Sequence, residues 1–142
     1  FRRVLFRSIY ELTVKLQNLL EISKGSVITL GSRSALVPGT GNNIAYGVTK
    51  AAVISLTKEL AVRLAPNIRV NCVSPGMCES QRLQNIFKEE WPNKVKSWAN
   101  QSSLQQLVSA EDIVSTIDFL ANNKSITAAN VVIDCGISPE IS

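Results

Sequence analysis

The sequence predicts an α/β fold built on a parallel sheet with helices on both faces. Apolar residues recur at helical spacing over 9–22, 44–64 and 110–123. Short β-branched runs, SVITL, IRVNCVS and NVVID, lie between and after them. The order is helix, strand, helix, strand, insertion, helix, strand, and such alternation argues for parallel strands joined by helical crossovers.

Each element has a local reason. In IYELTVKLQNLLEI, Ile9, Leu12, Leu16, Leu19 and Leu20 form a helical stripe, which Lys24-Gly25 closes. SVITL reads as a buried strand. GSRSALVPGTGNN, rich in Gly, Ser, Pro and Asn, reads as a loop. The helix over 44–64 ends before Pro66 and Asn67. Its apolar residues exceed one stripe, so one face should cover the sheet and another meet a partner subunit. IRVNCVS is cut by Pro75-Gly76. Residues 79–107 are polar, with two or three short helical stretches, and Trp91 and Trp98 there are expected to line a substrate pocket, with the packing of a mobile lid as the alternative. Ser109, followed by Glu111 and Asp112, is an N-cap with acids in the first turn. NVVID is the third strand, stopped by Cys135-Gly136.

Composition narrows the chemistry. With 142 residues and 45% hydrophobic content, the chain suits one domain or part of one. No apolar run reaches the roughly 20 residues of a membrane span. Cys72, Cys78 and Cys135 are scattered, with no C-x-x-C, which argues against a zinc cage or disulfide framework and for reduced thiols in the cytoplasm. Histidine is absent, which removes Ser-His, Cys-His and His-metal mechanisms. The net charge of +4 owes much to Arg2, Arg3 and Arg7; without them Lys plus Arg falls from 15 to 12 against 11 acids, a net of +1. Those arginines lie in FRRVLFRS, which reads as a translated sequencing adapter, so residues 1–8 are set aside from fold reasoning as a non-native segment. No basic stripe with interleaved aromatics remains, and a nucleic-acid partner is not expected.

Tyr46 and Lys50 are four residues apart on the long helix and project from the same side. A phenol titrates near ~10, and a neighbouring ammonium favours its ionised form. Such a tyrosine can exchange a proton with a carbonyl or alcohol oxygen. The pair alone is a weak signal, since so short a pattern is common by chance. Ser32, at the end of SVITLGS, strengthens it, because ligands of open α/β sheets bind beyond the carboxyl ends of strands. The next strand ends at the same edge in SPG.

Taken together, GSVITLGS, AYGVTKAAV, LAVRLAPNIRVNCVSPG, SAEDIVSTIDFLA and ANVVIDCG resemble the short-chain dehydrogenase/reductase family, and within it the 3-oxoacyl-acyl-carrier-protein reductase-like members. The resemblance runs from residue 9 to about 137. It implies a Rossmann-type doubly wound sheet, of which residues 9–142 form the C-terminal half of a single NAD(P)-binding domain. It implies Ser32, Tyr46 and Lys50 as catalytic residues. Tyr46, Lys50, Pro75, Gly76 and Ser80 are the implied contacts to NAD or NADP, with no metal. The implied reaction is hydride transfer on a small carbonyl or alcohol substrate, in a homodimer or homotetramer paired through the helices at 9–22 and 44–64.

The sequence also departs from that pattern. Ser32 stands 14 residues before Tyr46, one more than the family spacing, and Ser34 is the fallback. Leu5 falls where the family has a catalytic Asn. Ala128 or Ala129 replaces a usual Gly, and Cys135 replaces the first Gly of an Asp-Gly-Gly; both read as tolerated drift. The family's glycine-rich pyrophosphate turn is expected ahead of this sequence, so the chain is expected to be truncated at its N-terminus and inactive or poorly active alone. The alternative is a non-catalytic relative that binds or assembles.

Overall fold

The computed structural model describes residues 2–37 and 44–137, with side chains from residue 6 onward. The elements are α1 (Arg2–Ser23), β1 (Ser26–Leu30), a 3₁₀ turn (Arg33–Ala35), α2 (Ile44–Leu64), β2 (Arg69–Pro75), α3 (Gln81–Phe87), a 3₁₀ turn (Lys88–Glu90), α4 (Trp91–Ala99), α5 (Ala110–Asn122) and β3 (Asn130–Ile133). The strands form one parallel sheet in the order β1-β2-β3. Part of the predicted loop, residues 38–43, lies outside the described residues.

The middle strand is buried on both faces, which explains its unbroken apolar run. Val70 packs with Leu60, Ala61 and Leu64 of α2 and with Ile68, and Val27 of β1 joins this side. Thr29 bonds Thr57 of α2 at 2.6 Å. The opposite face meets α5. Arg69 donates to Leu120 O and Ala121 O at 2.8 and 2.6 Å, and Ser26 Oγ to Ala121 O. Strand alternation therefore places α2 and α5 on opposite faces. α5 begins as the sequence predicts: Ser109 accepts from Asp112 N, and the Asp112 side chain bonds back to the Ser109 N–H.

The first helix starts earlier than expected. It begins at Arg2 rather than Ile9. No Gly or Pro interrupts the segment set aside, and Arg7 pairs with Glu11 one turn on at 2.7 Å. Most of its apolar stripe faces outward. Leu12, Leu16 and Leu19 are exposed, whereas Thr13 is buried and Leu20 joins the core. Spacing reveals that a stripe exists but not what it meets.

β3 enters the sheet through a turn clamped by β2. Asn71 donates to Ile126 O at 2.9 Å and accepts from Ala129 N at 3.0 Å, while Ala128 N donates to Val70 O at 2.8 Å. Ala128 is held there at φ 61°, and Cys135, just beyond the strand, at φ 56°. These are left-handed conformations that penalise a Cβ. Both positions thus carry a side chain on a backbone that favours glycine. Ala128→Gly and Cys135→Gly should each raise the unfolding free energy by roughly 0.5–1 kcal/mol, the relieved strain less the extra freedom glycine has when unfolded. Urea titration checks this; unchanged midpoints would show the positions to be unstrained.

Candidate active site

The first two turns of α2 carry Tyr46 and Lys50. The Lys50 ammonium lies 5.9 Å from the centre of the Tyr46 ring, within cation–π range. Its Nζ also donates to Leu30 O, the last residue of β1, at 2.7 Å. The lysine thus ties the helix to the carboxyl end of the strand that leads into Ser32. Tyr46 itself is 44% exposed, open to solvent at this rim. Burial pushes the Lys50 pKa below the ordinary lysine value, and the neighbouring Cys72 pushes the other way.

Ser32 is 8% exposed and caps the first 3₁₀ turn, its Oγ accepting from Ser34 N at 3.2 Å. The cap uses the acceptor side of the hydroxyl and leaves its O–H able to donate. The turn is pressed against α2 beside the tyrosine. A Cβ at Gly47 would lie 2.6 Å from Ser34 O, so only glycine permits this approach. On the near side of the turn, a Cβ at Gly31 would lie 2.4 Å from Ser74 Oγ and 2.9 Å from Cys72 Sγ. Neither glycine was singled out by the sequence, although Gly47, inside a helix and next to Tyr46, was a readable signal.

The other predicted positions lie farther along the rim. Pro75 ends β2 opposite Ile133, and Gly76 N donates to Ile133 O at 2.7 Å. Ser80 is exposed and caps α3, accepting from Leu83 N at 3.3 Å. Leu5 lies in α1, with its side chain outside the described residues. A groove of about 510 Å³ runs between α4 and the start of α5, lined in part by Glu79, Val95, Ala99, Val108 and Glu111. Neither tryptophan borders it. Trp91 and Trp98 pack edge-to-face at 6.0 Å, and Trp98 meets Phe87 at 5.5 Å. Their apolar area holds the insertion together. Among the described residues no cluster of His, Cys, Asp or Glu could hold a metal ion.

A family model described as enoyl-(acyl carrier protein) reductase matches residues 3–138. The chain belongs to the short-chain dehydrogenase/reductase family. Dehydrogenase/reductase SDR family member 6 of Rattus norvegicus is 34% identical over 139 residues, which are 93% of this chain and 56% of that protein. The short-chain dehydrogenase/reductase homolog YusR of Bacillus subtilis is 35% identical over 112 residues, 79% of this chain and 82% of that protein. The structure of ElxO with NADP bound is similar with a TM-score of 0.79 at 30% identity, over 90% of this chain and 52% of that one. The chain spans about half the length of most of the curated relatives it matches. The parallel sheet is that of the family's Rossmann-type neighbours.

The lowered Lys50 pKa sets a sign for the pH dependence. Between the depressed folded value and the ordinary 10.5, the unfolded chain binds the extra proton. Stability therefore rises with pH across that window. Comparing urea unfolding of the wild type with Lys50→Met from neutral pH to 10.5, the difference should move in the wild type's favour as pH climbs. Movement the other way would mean that folding stabilises the ammonium.

Proposed function

We propose that this chain carries the catalytic groups of a nicotinamide-dependent oxidoreductase acting on a small carbonyl or alcohol. The observation that carries this reading is Lys50, half-buried, beside the Tyr46 ring and anchored to the end of β1. Tyr46 passes a proton to the substrate oxygen in reduction and takes it back in oxidation, with the Lys50 ammonium beside its ring. Ser32 donates its hydroxyl hydrogen to the same oxygen. Lys50 has three N–H donors and uses one on Leu30 O, so others are available to a ribose diol. That donor set fits NAD or NADP. Pro75 and Gly76 offer the ring a turn with little side chain, and Ser80 is the proposed contact to the carboxamide or phosphates. Bound cofactor would supply or accept the hydride.

In this reading the pyrophosphate is received by a glycine-rich turn of the complete protein, and turnover is a property of that protein. Three free cysteines accord with the cytoplasm as the compartment. No helix among the described residues is long and apolar enough to cross a membrane.

In the complete protein, Tyr46→Phe should lower turnover by about 10²–10⁴-fold. Wild-type turnover in that variant would remove the proposed role and favour a non-catalytic binding or assembly subunit.

We further propose that two copies pair through α1 and α2, which lie side by side. Leu12, Leu16 and Leu19 of α1 and Val48 and Val62 of α2 are exposed apolar residues on these helices, more than a monomer usually leaves open. Ile54 is buried and Leu56 packs against the core, so neither faces outward. Leu16→Arg in the complete protein should bury an unpaired charge on pairing and shift sedimentation to the monomer. A wild type that sediments as a fully active monomer would refute the pairing.

A further inference from the structure

Arg33 stands between Ser32 and Ser34, yet its guanidinium reaches across the sheet. Its Nη2 donates to Ile137 O, and its Nε lies 3.5 Å from Asp134 Oδ2. Both partners follow β3, whereas Arg33 follows β1, so the side chain spans the end of β2. There Asp134 sits so close to Gly76 that a Cβ on the glycine would lie 2.7 Å from the Asp134 Cβ. Asp134 is fixed in turn, its Oδ1 accepting from Gly136 N at 3.0 Å. The two charged side chains are only 16% and 9% exposed.

Burial lowers the Arg33 pKa while Asp134 raises it. An ion pair withdrawn from water is a poor source of stability, because desolvation cancels much of the attraction. It does fix geometry, since a guanidinium presents its donors in a rigid fork. The turn it holds is pressed on its other side against Gly47, next to Tyr46. The Ser32 turn is therefore wedged between α2 and a strut anchored two strands away.

We propose that Arg33 is a positioning residue: its strut to Asp134 and Ile137 O holds the Ser32 turn against α2, so that Ser32 and Tyr46 meet one substrate oxygen. This rests on the catalytic reading of Ser32, Tyr46 and Lys50 given above. Loosening the strut leaves both hydroxyls in place chemically but mis-sets their spacing. Turnover falls while substrate binding stays nearly unchanged.

The test compares Arg33→Lys, Ser32→Ala and the double variant in the complete enzyme. Asp134→Asn serves as a second way to cut the strut should Arg33→Lys fold poorly, with thermal melting reporting the fold. Arg33→Lys is expected to lower kcat about 10–100-fold with KM within about two-fold, since small misplacements carry penalties of this order. In the Ser32→Ala background the same change should lower kcat by less than about three-fold, because the group being positioned is gone. Exchange of the Ser34 and Ala35 amides, which bond Ser32, should accelerate roughly ten-fold in Arg33→Lys as the turn opens more often. Equal kcat losses in both backgrounds, or unchanged exchange, would overturn the positioning role alone. Full turnover in both Ser32→Ala and Tyr46→Phe would overturn the catalytic reading and the role of Arg33 with it.

Discussion

The middle strand of the sheet has no free face, and the other described strands and the helices α2 and α5 take their places from that constraint. β1 and β3 pair with its two edges. α2 and α5 close its two sides. A strand so enclosed must satisfy its polar groups internally, and Asn71 does so by holding the turn that feeds β3. The same enclosure brings three strand ends to one rim. There Lys50 fastens α2 to β1, and Arg33 fastens the turn after β1 to the segment after β3.

What the sequence made legible was periodic or local. The bounds of α2, from residue 44 to 64, follow from its predominantly apolar pattern and the Pro66 beyond its end. The parallel sheet follows from alternation, and the Tyr46–Lys50 pair from helical spacing. What it hid was relational. The leucines of α1 mark a stripe, but only packing reveals that Thr13, not Leu12 or Leu16, lies inward. Arg33 reads as one cation in a loop of small residues, since its partners lie about a hundred positions away and no pattern links them. Trp91 and Trp98 read as part of an insertion at the rim, and nothing in their spacing shows that they meet edge-to-face.

Ser32 and Ser80 illustrate why a capping role and the proposed site role need not compete. Each accepts a backbone N–H at the head of a short helical turn. A hydroxyl has a donor as well as lone pairs, so the cap orients the side chain and leaves its hydrogen for a ligand. For Ser32 the cap also fixes the rotamer, which in the proposed role limits the reorganisation needed when a substrate oxygen arrives.

The closeness of Gly31 and Gly47 to their neighbours has a consequence for how such a site is mapped by mutation. The turn bearing Ser32 fits because two side chains are missing, one on each flank. A methyl group at either position would move the hydroxyl without altering any group that exchanges a proton. Under the catalytic reading proposed above, an alanine scan scored on activity would rank these glycines with the tyrosine, although neither has a side chain to offer a substrate. The shape of the site is set as much by atoms left out as by the polar groups that remain.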